Sequence, residues 1–311
     1  YYGNAAATNQ QDVVNVWDAT YKGVWHLKED PSGTAPQMKD STSNAFHGTT
    51  QGSMASTDSI STIINGGIKI NTAGQTNQLV DAGNRPAFKA VTTTISLWVS
   101  PSSTIAAGSG RKDLFHQVCD ANWLLWNYTQ NSGKLDFGTN CGNFYTSVTA
   151  TWTADTWYYV IMTQNGGTTK LYVNGALETT ATGVPVPQGG GSTLQFGGWS
   201  GNSTPFPGKL DEVRFSNIDR SSGWITTEYN NQNSPSTFYT LGGEATSADV
   251  RIVVTVSHTA PDGSGATTIV QSSTTTINSS TANPLALTIG NDPTGQTFTS
   301  GNLRRLRVQV N

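Results

Sequence analysis

Charged residues are scarce in this sequence of 311 residues, at 12% of the total with a net charge of −3. Lys and Arg together number 17 and are scattered, with one basic cluster, "NLRRLR", near the end of the chain. That cluster is typical of one face of an edge strand, and nothing else concentrates positive charge. The composition therefore argues against a nucleic-acid partner.

Long hydrophobic runs are missing as well. No apolar stretch approaches the roughly 20 residues that span a membrane, and "WYYVIM" is among the longest. We therefore expect no membrane insertion. The chain starts at Tyr1 without Met or a signal sequence, which favours a mature protein or a fragment cut from a longer one.

Cysteine is rare, with Cys119 and Cys141 the two in the chain. They flank a segment that reads as two strands joined by a turn at 131–133, so the two side chains can meet. A disulfide between them is predicted, which favours an oxidising compartment and a secreted or cell-surface protein. The alternative is two unrelated buried thiols.

Alternating strand patterns, separated by Gly-rich turns, occur along most of the chain. Examples are "TTTISLWVSPS", "KDLFHQV" and "NWLLWNYT", followed by "WYYVIMTQNGGTTKLYVNGALETT" with its Asn-Gly turns at 165–167 and 174–175. Such spacing predicts an all-β protein built as a two-sheet antiparallel sandwich. One short helix is expected from about Ser221 to Asn230, with Ser221 as its N-cap.

The composition changes near residue 242, which sets the predicted domain boundaries. Aromatic residues are frequent before this point, and Phe298 is the only one after it. We expect 1–13 to be the end of a preceding domain or a linker, 14–242 to be the main domain, and 245–311 to be a small second β domain of four or five strands.

The motifs "GVWHLKED…DSTSNAFHGT", "TISLWVSP", "TWYYVIMTQNGGTTKLYVNGAL" and "GKLDEVRFS" follow one another in this order. In this order they resemble the bacterial laminin-G-like jelly roll of the concanavalin A-like lectin/glucanase superfamily, over residues 14–242. The resemblance implies a jelly-roll sandwich. The superfamily includes both enzymes and binding modules, so function has to be argued from the site.

The carboxylates argue against an enzyme. Retaining glycosidases hold two carboxyl groups about 5–5.5 Å apart, and those of this superfamily carry them at alternate positions of one strand. Asp211 and Glu212 are adjacent, so on a regular strand they point to opposite faces and converge only through a bulge. The His residues are dispersed. We therefore expect no catalytic residues, and a glycoside hydrolase is disfavoured.

A structural calcium ion is implied by the resemblance. Carried over by motif, its ligands are the carboxylates of Asp40 and Asp211, with help from Asn44 and the carbonyl of His47, in a loop rich in oxygen donors. The alternative is an Asx-turn at this loop and an Asp211 that is solvated or paired with Arg214.

Aromatic residues beyond the expected core suggest carbohydrate binding. Trp25, Trp98 and Trp157 occupy positions that the family fills with packed aromatics, so they are assigned to the core. The remaining candidates, which lie in irregular or rim segments, are Trp123, Trp126, Trp199 and Tyr145, with Asn122 and Asn202 beside them. Trp123 and Trp126 point to opposite faces of a strand, so at most one of them faces a ligand.

Two functions follow from these patterns. The first is a non-catalytic, extracellular, lectin-like module of a larger protein, whose partner is a polysaccharide or glycoconjugate. The alternative is a structural or adhesive subunit of a surface stalk or filament. In that alternative the chain pairs with copies of itself through edge strands such as "VRIVVTVSHT" and "RRLRVQV".

Overall fold

The computed structural model forms two compact units, Tyr1–Tyr239 and Thr240–Asn311. It describes residue 12, residues 15–72, 77–88, 90–117, 122–126, 132–139, 143–184, 193–200 and 205–238, and in the second unit residues 252–259, 266–272 and 305–310. None of the helices in these ranges is long and apolar enough to cross a membrane. The domain boundaries expected from the sequence stay a prediction.

Strands account for most of the regular structure in the described ranges. In chain order they are β1 (Tyr21–Trp25), β2 (Thr49–Gln51), β3 (Ser59–Ile60), β4 (Gly67–Ile70), β5 (Leu79–Asn84), β6 (Thr93–Pro101), β7 (Lys112–Gln117), β8 (Asn122–Trp126), β9 (Leu135–Thr139), β10 (Asn143–Thr146), β11 (Tyr158–Asn165), β12 (Thr168–Val173), β13 (Ala176–Ala181), β14 (Thr193–Phe196), β15 (Gly208–Ser216), β16 (Ile252–Thr259), β17 (Ala266–Ser272) and β18 (Arg305–Val310).

The first unit contains two antiparallel sheets. The eight-stranded sheet runs β13-β12-β11-β6-β15-β4-β3, with β1 paired to β15, and the seven-stranded sheet runs β10-β9-β8-β7-β14-β5-β2. The prediction of an all-β jelly-roll sandwich is confirmed. Within its described residues the second unit contains a three-stranded sheet in the order β17-β16-β18.

The main core lies between the two sheets. It joins Leu97 and Phe215 of the eight-stranded sheet with Phe115 and Phe196 of the seven-stranded sheet, all fully buried. Complete burial of one such side chain contributes roughly 1.5–3 kcal/mol. Trp25 belongs to this core, as the sequence predicted.

A second apolar cluster covers the other face of the eight-stranded sheet. Trp98 and Tyr159 stack there with ring centroids 4.9 Å apart, and Ile225 of the following helix packs against them. Trp157 is half-buried beside this cluster. Because both faces of β6 are covered, every residue of that strand is buried.

Helix α1 (Ser222–Asn233) supplies the cover over this second cluster, and a short helix α2 (Pro235–Phe238) follows it. Ser221 caps α1, since its hydroxyl accepts the backbone N–H of Trp224 at 3.2 Å. The predicted start of the helix is confirmed, and its end lies three residues beyond Asn230.

The two predicted hairpins are present in β11, β12 and β13. At the second turn Asn174 and Gly175 have φ values of 50° and 77°. This left-handed pair is the geometry that an Asn-Gly turn provides between twisted strands.

Candidate functional site

A bulge in β15 determines where its acidic residues lie. The pairing of β15 with β6 shifts between Asp211 and Arg214, and Glu212 adopts a φ of 51°. Leu210 and Val213 on either side of the bulge both belong to the core between the sheets. The bulge therefore leaves Asp211 and Glu212 together on the outer side of the eight-stranded sheet.

Glu212 is the centre of a buried ionic network. Its carboxylate contacts Nδ1 of His26 and accepts from Nε and Nη2 of Arg214 at 3.2 and 2.5 Å. Nη1 of Arg214 donates to Glu228 of α1 at 2.5 Å. The network therefore joins β15 to the helix that covers it.

The ionisation of this network follows from its partners. Burial acts to raise the pKa of Glu212, but the hydrogen bond with His26 and the charge of Arg214 outweigh it, and the net pKa is lowered. Glu212 is thus ionised at neutral pH, and its charge is held by two basic side chains.

Asp211 has a different environment from its neighbour. It is fully buried, its Oδ2 accepts the backbone N–H of Ile64 at 2.9 Å, and its Oδ1 has no hydrogen-bond partner. Burial, and to a smaller extent the charge of Glu212, raises its pKa to about 7. The hydrogen bond from Ile64 acts in the opposite direction. Asp211 therefore anchors the loop at 63–65 rather than facing solvent.

An open groove lies beside α1 on this same outer face. We call it the helix-side groove, and its volume is about 800 Å³, within the range of ligand sites. Asp211 and Glu212 are not among its lining residues. The residues that line it are Trp17, Tyr21, Ile63, Ile64, Asn65, Arg214, Trp224, Thr227, Glu228, Asn231, Gln232, Pro235 and Phe238.

Aromatic rings of the groove pack against two guanidinium groups, that of Arg214 in the lining and that of Arg220, which is not a lining residue. Trp17 packs edge-on against Tyr21 at 4.9 Å, and Arg214 lies over the Trp17 ring at 5.0 Å. Arg220 lies 4.6 Å from the Tyr21 ring and 4.4 Å from the Trp224 ring. Trp224 is nevertheless 45% exposed, so much of its surface is open to a ligand.

Amide side chains of α1 complete the polar lining. Gln232 is fixed because its Oε1 accepts the indole N–H of Trp98 at 2.6 Å, and Asn231 lies one residue before it. The groove thus combines apolar ring surface with hydrogen-bonding groups on a rigid helix, the usual composition of a small-ligand site.

The predicted calcium ligand Asp40 is occupied by hydrogen bonds. Its Oδ1 accepts backbone N–H groups of Val24 and Thr42, each at 2.9 Å. Its Oδ2 accepts the Thr42 hydroxyl at 2.9 Å and the Phe46 N–H at 2.8 Å. This is the Asx-turn that the sequence left as the alternative.

Asn44 and His47 are held by side-chain hydrogen bonds that do not involve the predicted ligand carbonyl of His47. The Asn44 amide donates to the carbonyls of Tyr21 and Lys22 at 3.3 Å, and Nδ1 of His47 accepts the N–H of Asp40 at 3.0 Å. Within the described ranges no group of three or more His, Cys, Asp or Glu residues is placed to hold a metal ion. Both carboxylate oxygens of Asp40 already accept hydrogen bonds, and the calcium site stays a prediction.

Trp199, one of the sugar-binding residues predicted from the sequence, lies at the seven-stranded sheet. It stacks on His116 of β7 with centroids 4.7 Å apart. Burial, together with the charge of Arg111, lowers the pKa of His116 to about 3, so a neutral imidazole supports the indole ring. Trp199 is half-buried by this stacking.

Tyr145 is the other member of that predicted set whose side chain the structure describes. Tyr145 stacks on the core residue Phe137 at 5.5 Å and packs against the core between the sheets. The backbone of Trp123 lies opposite His116 in the register of β7 and β8. The side chains of Asn122, Trp123 and Trp126, together with Asn202, Cys119 and Cys141, lie outside the described part of the chain.

Comparison with known proteins assigns the fold. Residues 73–226, which run from before β5 into α1, match a laminin-G family model described as the concanavalin A-like lectin/glucanases superfamily. This segment of the chain belongs to that superfamily. A comparison with curated protein sequences found no match.

Two solved structures have a similar fold. Domain 4 of AbnA, a GH43 extracellular arabinanase from Geobacillus stearothermophilus solved with arabinotriose, is 19% identical with a TM-score of 0.51; the alignment covers 68% of this chain and 98% of that domain. A Trypanosoma rangeli sialidase mutant is 15% identical with a TM-score of 0.52, covering 70% of this chain and 34% of the sialidase. At these identities the similarity establishes the fold.

The groove was missed from the sequence because its walls are far apart in the chain. Trp17, the loop at 63–65 and α1 meet only through the pairing of β1 with β15 and the packing of α1 on the sheet. A local signal was present in Trp224, a large aromatic next to the buried Ile225 in a helix made mostly of polar residues.

Proposed function

We propose that the protein is a non-catalytic, extracellular carbohydrate-binding module and that its ligand binds in the helix-side groove. The observation that carries this proposal is the exposed Trp224 ring beside the amides of α1 in an open groove. Flat aromatic rings pack on the apolar faces of sugars, and amide groups hydrogen-bond their hydroxyls. The superfamily of residues 73–226 supports a ligand of this class.

The absence of catalysis is part of the proposal. Glycoside hydrolysis needs two carboxyl groups that flank the scissile bond. Glu228 lines the groove, but its carboxylate is bound to Arg214, and Asp211 and Glu212 lie below the lining. No second carboxylate among the described lining residues is available to act with Glu228.

The sequence-predicted set around Trp199 is the alternative location for the ligand. Trp199 has one ring face on His116, and it lies on the seven-stranded sheet, away from α1. The structural or adhesive role stays the alternative function, with self-association through strand edges. Sugar binding by a monomer supports the module, whereas polymers that bind no sugar support the structural role.

Calorimetric titration with neutral oligosaccharides tests the proposal. Arabinotriose is the first probe, because it is the ligand in the AbnA domain 4 structure, and linear glucan, xylan and galactan oligosaccharides complete the panel. We expect Trp224→Ala to weaken binding at least about tenfold, or about 1.4 kcal/mol. Its melting temperature should stay near wild type because the Trp224 side chain is half exposed.

Leu177→Ala is the matched control. Leu177 is another exposed apolar side chain, 55% accessible on β13, and it does not line the groove. Its loss should leave affinity unchanged. Absence of binding across the panel, or equal weakening by both variants, would overturn the proposal.

A further inference from the structure

The helix-side groove contains one cation among its described lining residues, and that cation is already satisfied. Arg214 uses Nε and Nη2 for Glu212 and Nη1 for Glu228, while one face of its guanidinium lies over Trp17. Two carboxylates therefore face one guanidinium. Even with a proton on His26, this set carries no net positive charge.

The neighbouring guanidinium is equally enclosed. Arg220 lies between the rings of Tyr21 and Trp224, donates to the Thr20 hydroxyl at 2.9 Å and lies 4.0 Å from the carboxylate of Asp18. Its side chain is 9% exposed. It is held as a support for the two rings rather than offered to a ligand anion.

Glu228 is the one anion among the described lining residues. Its side chain is 13% exposed, so it is accessible at the wall of the groove. An acidic sugar would have to displace Glu228 from Arg214 or bind beside its charge, and both cost free energy. A sugar hydroxyl, in contrast, donates to a carboxylate without such a penalty.

We propose that the helix-side groove selects uncharged sugar chains over acidic ones, and that Glu228 is the residue that sets this selection. This inference rests on the proposed carbohydrate-binding function and names the ligand class of the same site. Arg214 is the group that Glu228 keeps from acidic ligands. Trp224 and the amides of α1 supply the contacts with neutral sugars.

The test compares neutral and acidic probes on wild type and on Glu228→Gln. The neutral probes are the oligosaccharides named above, and the acidic ones are oligogalacturonate and sialyllactose. Wild type should bind a neutral probe and bind the acidic probes at least about tenfold more weakly, as expected for one uncompensated charge near the ligand. Glu228→Gln removes that charge with little change of shape and weakens the contact with Nη1 of Arg214, because an amide oxygen accepts a weaker hydrogen bond than a carboxylate does.

In the Glu228→Gln variant we expect the acidic probes to gain about tenfold in affinity, an effect that shrinks as salt is raised. Asp155→Asn is the control. It makes the same change in net charge at a side chain that is 69% exposed and paired with Lys209 outside the groove. It should leave the ratio of acidic to neutral affinity unchanged.

The outcomes separate this inference from the proposed function. Wild type that binds acidic probes as tightly as neutral ones overturns the selection but leaves carbohydrate binding intact. No gain in Glu228→Gln, or an equal gain in Asp155→Asn, removes Glu228 as its cause. No binding of any probe overturns the proposed function itself.

Discussion

Replacing Asp211 with asparagine should stabilise the first unit at neutral and higher pH. The wild-type carboxyl is fully buried, and one of its oxygens has no hydrogen-bond partner. Asparagine retains an oxygen that can accept the N–H of Ile64. The substitution therefore removes a buried charge and keeps the contact that anchors the loop at 63–65.

The magnitude follows from the pKa of Asp211. Burial raises this pKa from 3.8 to about 7. Between these values the folded state binds more protons than the unfolded state at Asp211, so the contribution of this group to stability is greatest below the lower value and is lost as pH rises through about 7. The difference corresponds to roughly 4 kcal/mol, and an unpaired amide N–H in the variant offsets about 1–3 kcal/mol of the gain.

Urea unfolding from about pH 5 to about pH 8 measures this effect. All 9 tryptophans precede residue 241, so tryptophan fluorescence reports on the first unit. His116, whose pKa is lowered from 6.5 to about 3, makes both proteins more stable as pH rises toward 6.5, so the effect of Asp211 is read from the difference between them. The variant should gain stability relative to wild type across this range and be the more stable protein at the upper end.

The pKa of Glu212 is lowered, so this group makes the protein more stable as pH rises, which is the opposite of Asp211. That change occurs below the ordinary pKa of 4.5 and therefore outside the measured pH range. A variant with the wild-type slope, or one less stable than wild type at the upper end, would refute the assignment of the slope to Asp211.

Four further outcomes are expected. Ser221→Ala should lower the free energy of unfolding by about 1 kcal/mol because the α1 cap is lost. Ile225→Ala should lower it by roughly 2–4 kcal/mol because a cavity forms beneath the helix. Equilibrium denaturation measures both changes, and values near zero would contradict the cap and the packing described. If the predicted calcium site exists, the protein melts at a higher temperature in excess calcium than in chelator; equal melting temperatures remove the site. If Cys119 and Cys141 form a disulfide, thiol titration of the unfolded, unreduced protein finds no free thiols; two reactive thiols contradict the pairing.

The parts of the fold that depend on short-range signals could be predicted from the sequence. The turn at Asn174 and Gly175 and the start of α1 at Ser221 both follow from residues that satisfy the local backbone geometry. The assignment of Trp25 and Trp98 to apolar clusters also holds. The turn and the cap follow from residue type and chain neighbours, whereas the assignment of the two Trp residues rested on the resemblance.

The bulge in β15 could not be predicted in this way. Regular alternation places Asp211 and Glu212 on opposite faces, whereas the bulge puts both on the outer side of the sheet. The bulge depends on how β15 pairs with β6 and β1 at once, and that pairing is not a local property of the sequence. The ionic network of Glu212 with His26 and Arg214 follows from it.

Tyr145 shows the limit of composition as a guide to a site. Its position in the irregular segment "CGNFYTS" suggested a ligand contact, but the pairing of β10 with β9 sets it against Phe137 and the core. An aromatic residue near the rim of a sandwich can pack inward or outward, and only the register decides between them.

The most direct test of the central claim is a parallel titration of one neutral oligosaccharide that wild type binds into Trp224→Ala and Trp199→Ala. The two substitutions remove the same side chain from the helix-side groove and from the seven-stranded sheet. We expect affinity to fall at least about tenfold in Trp224→Ala and to stay at the wild-type value in Trp199→Ala. Loss of binding in Trp199→Ala with full binding in Trp224→Ala would contradict this claim and place the ligand on the opposite sheet.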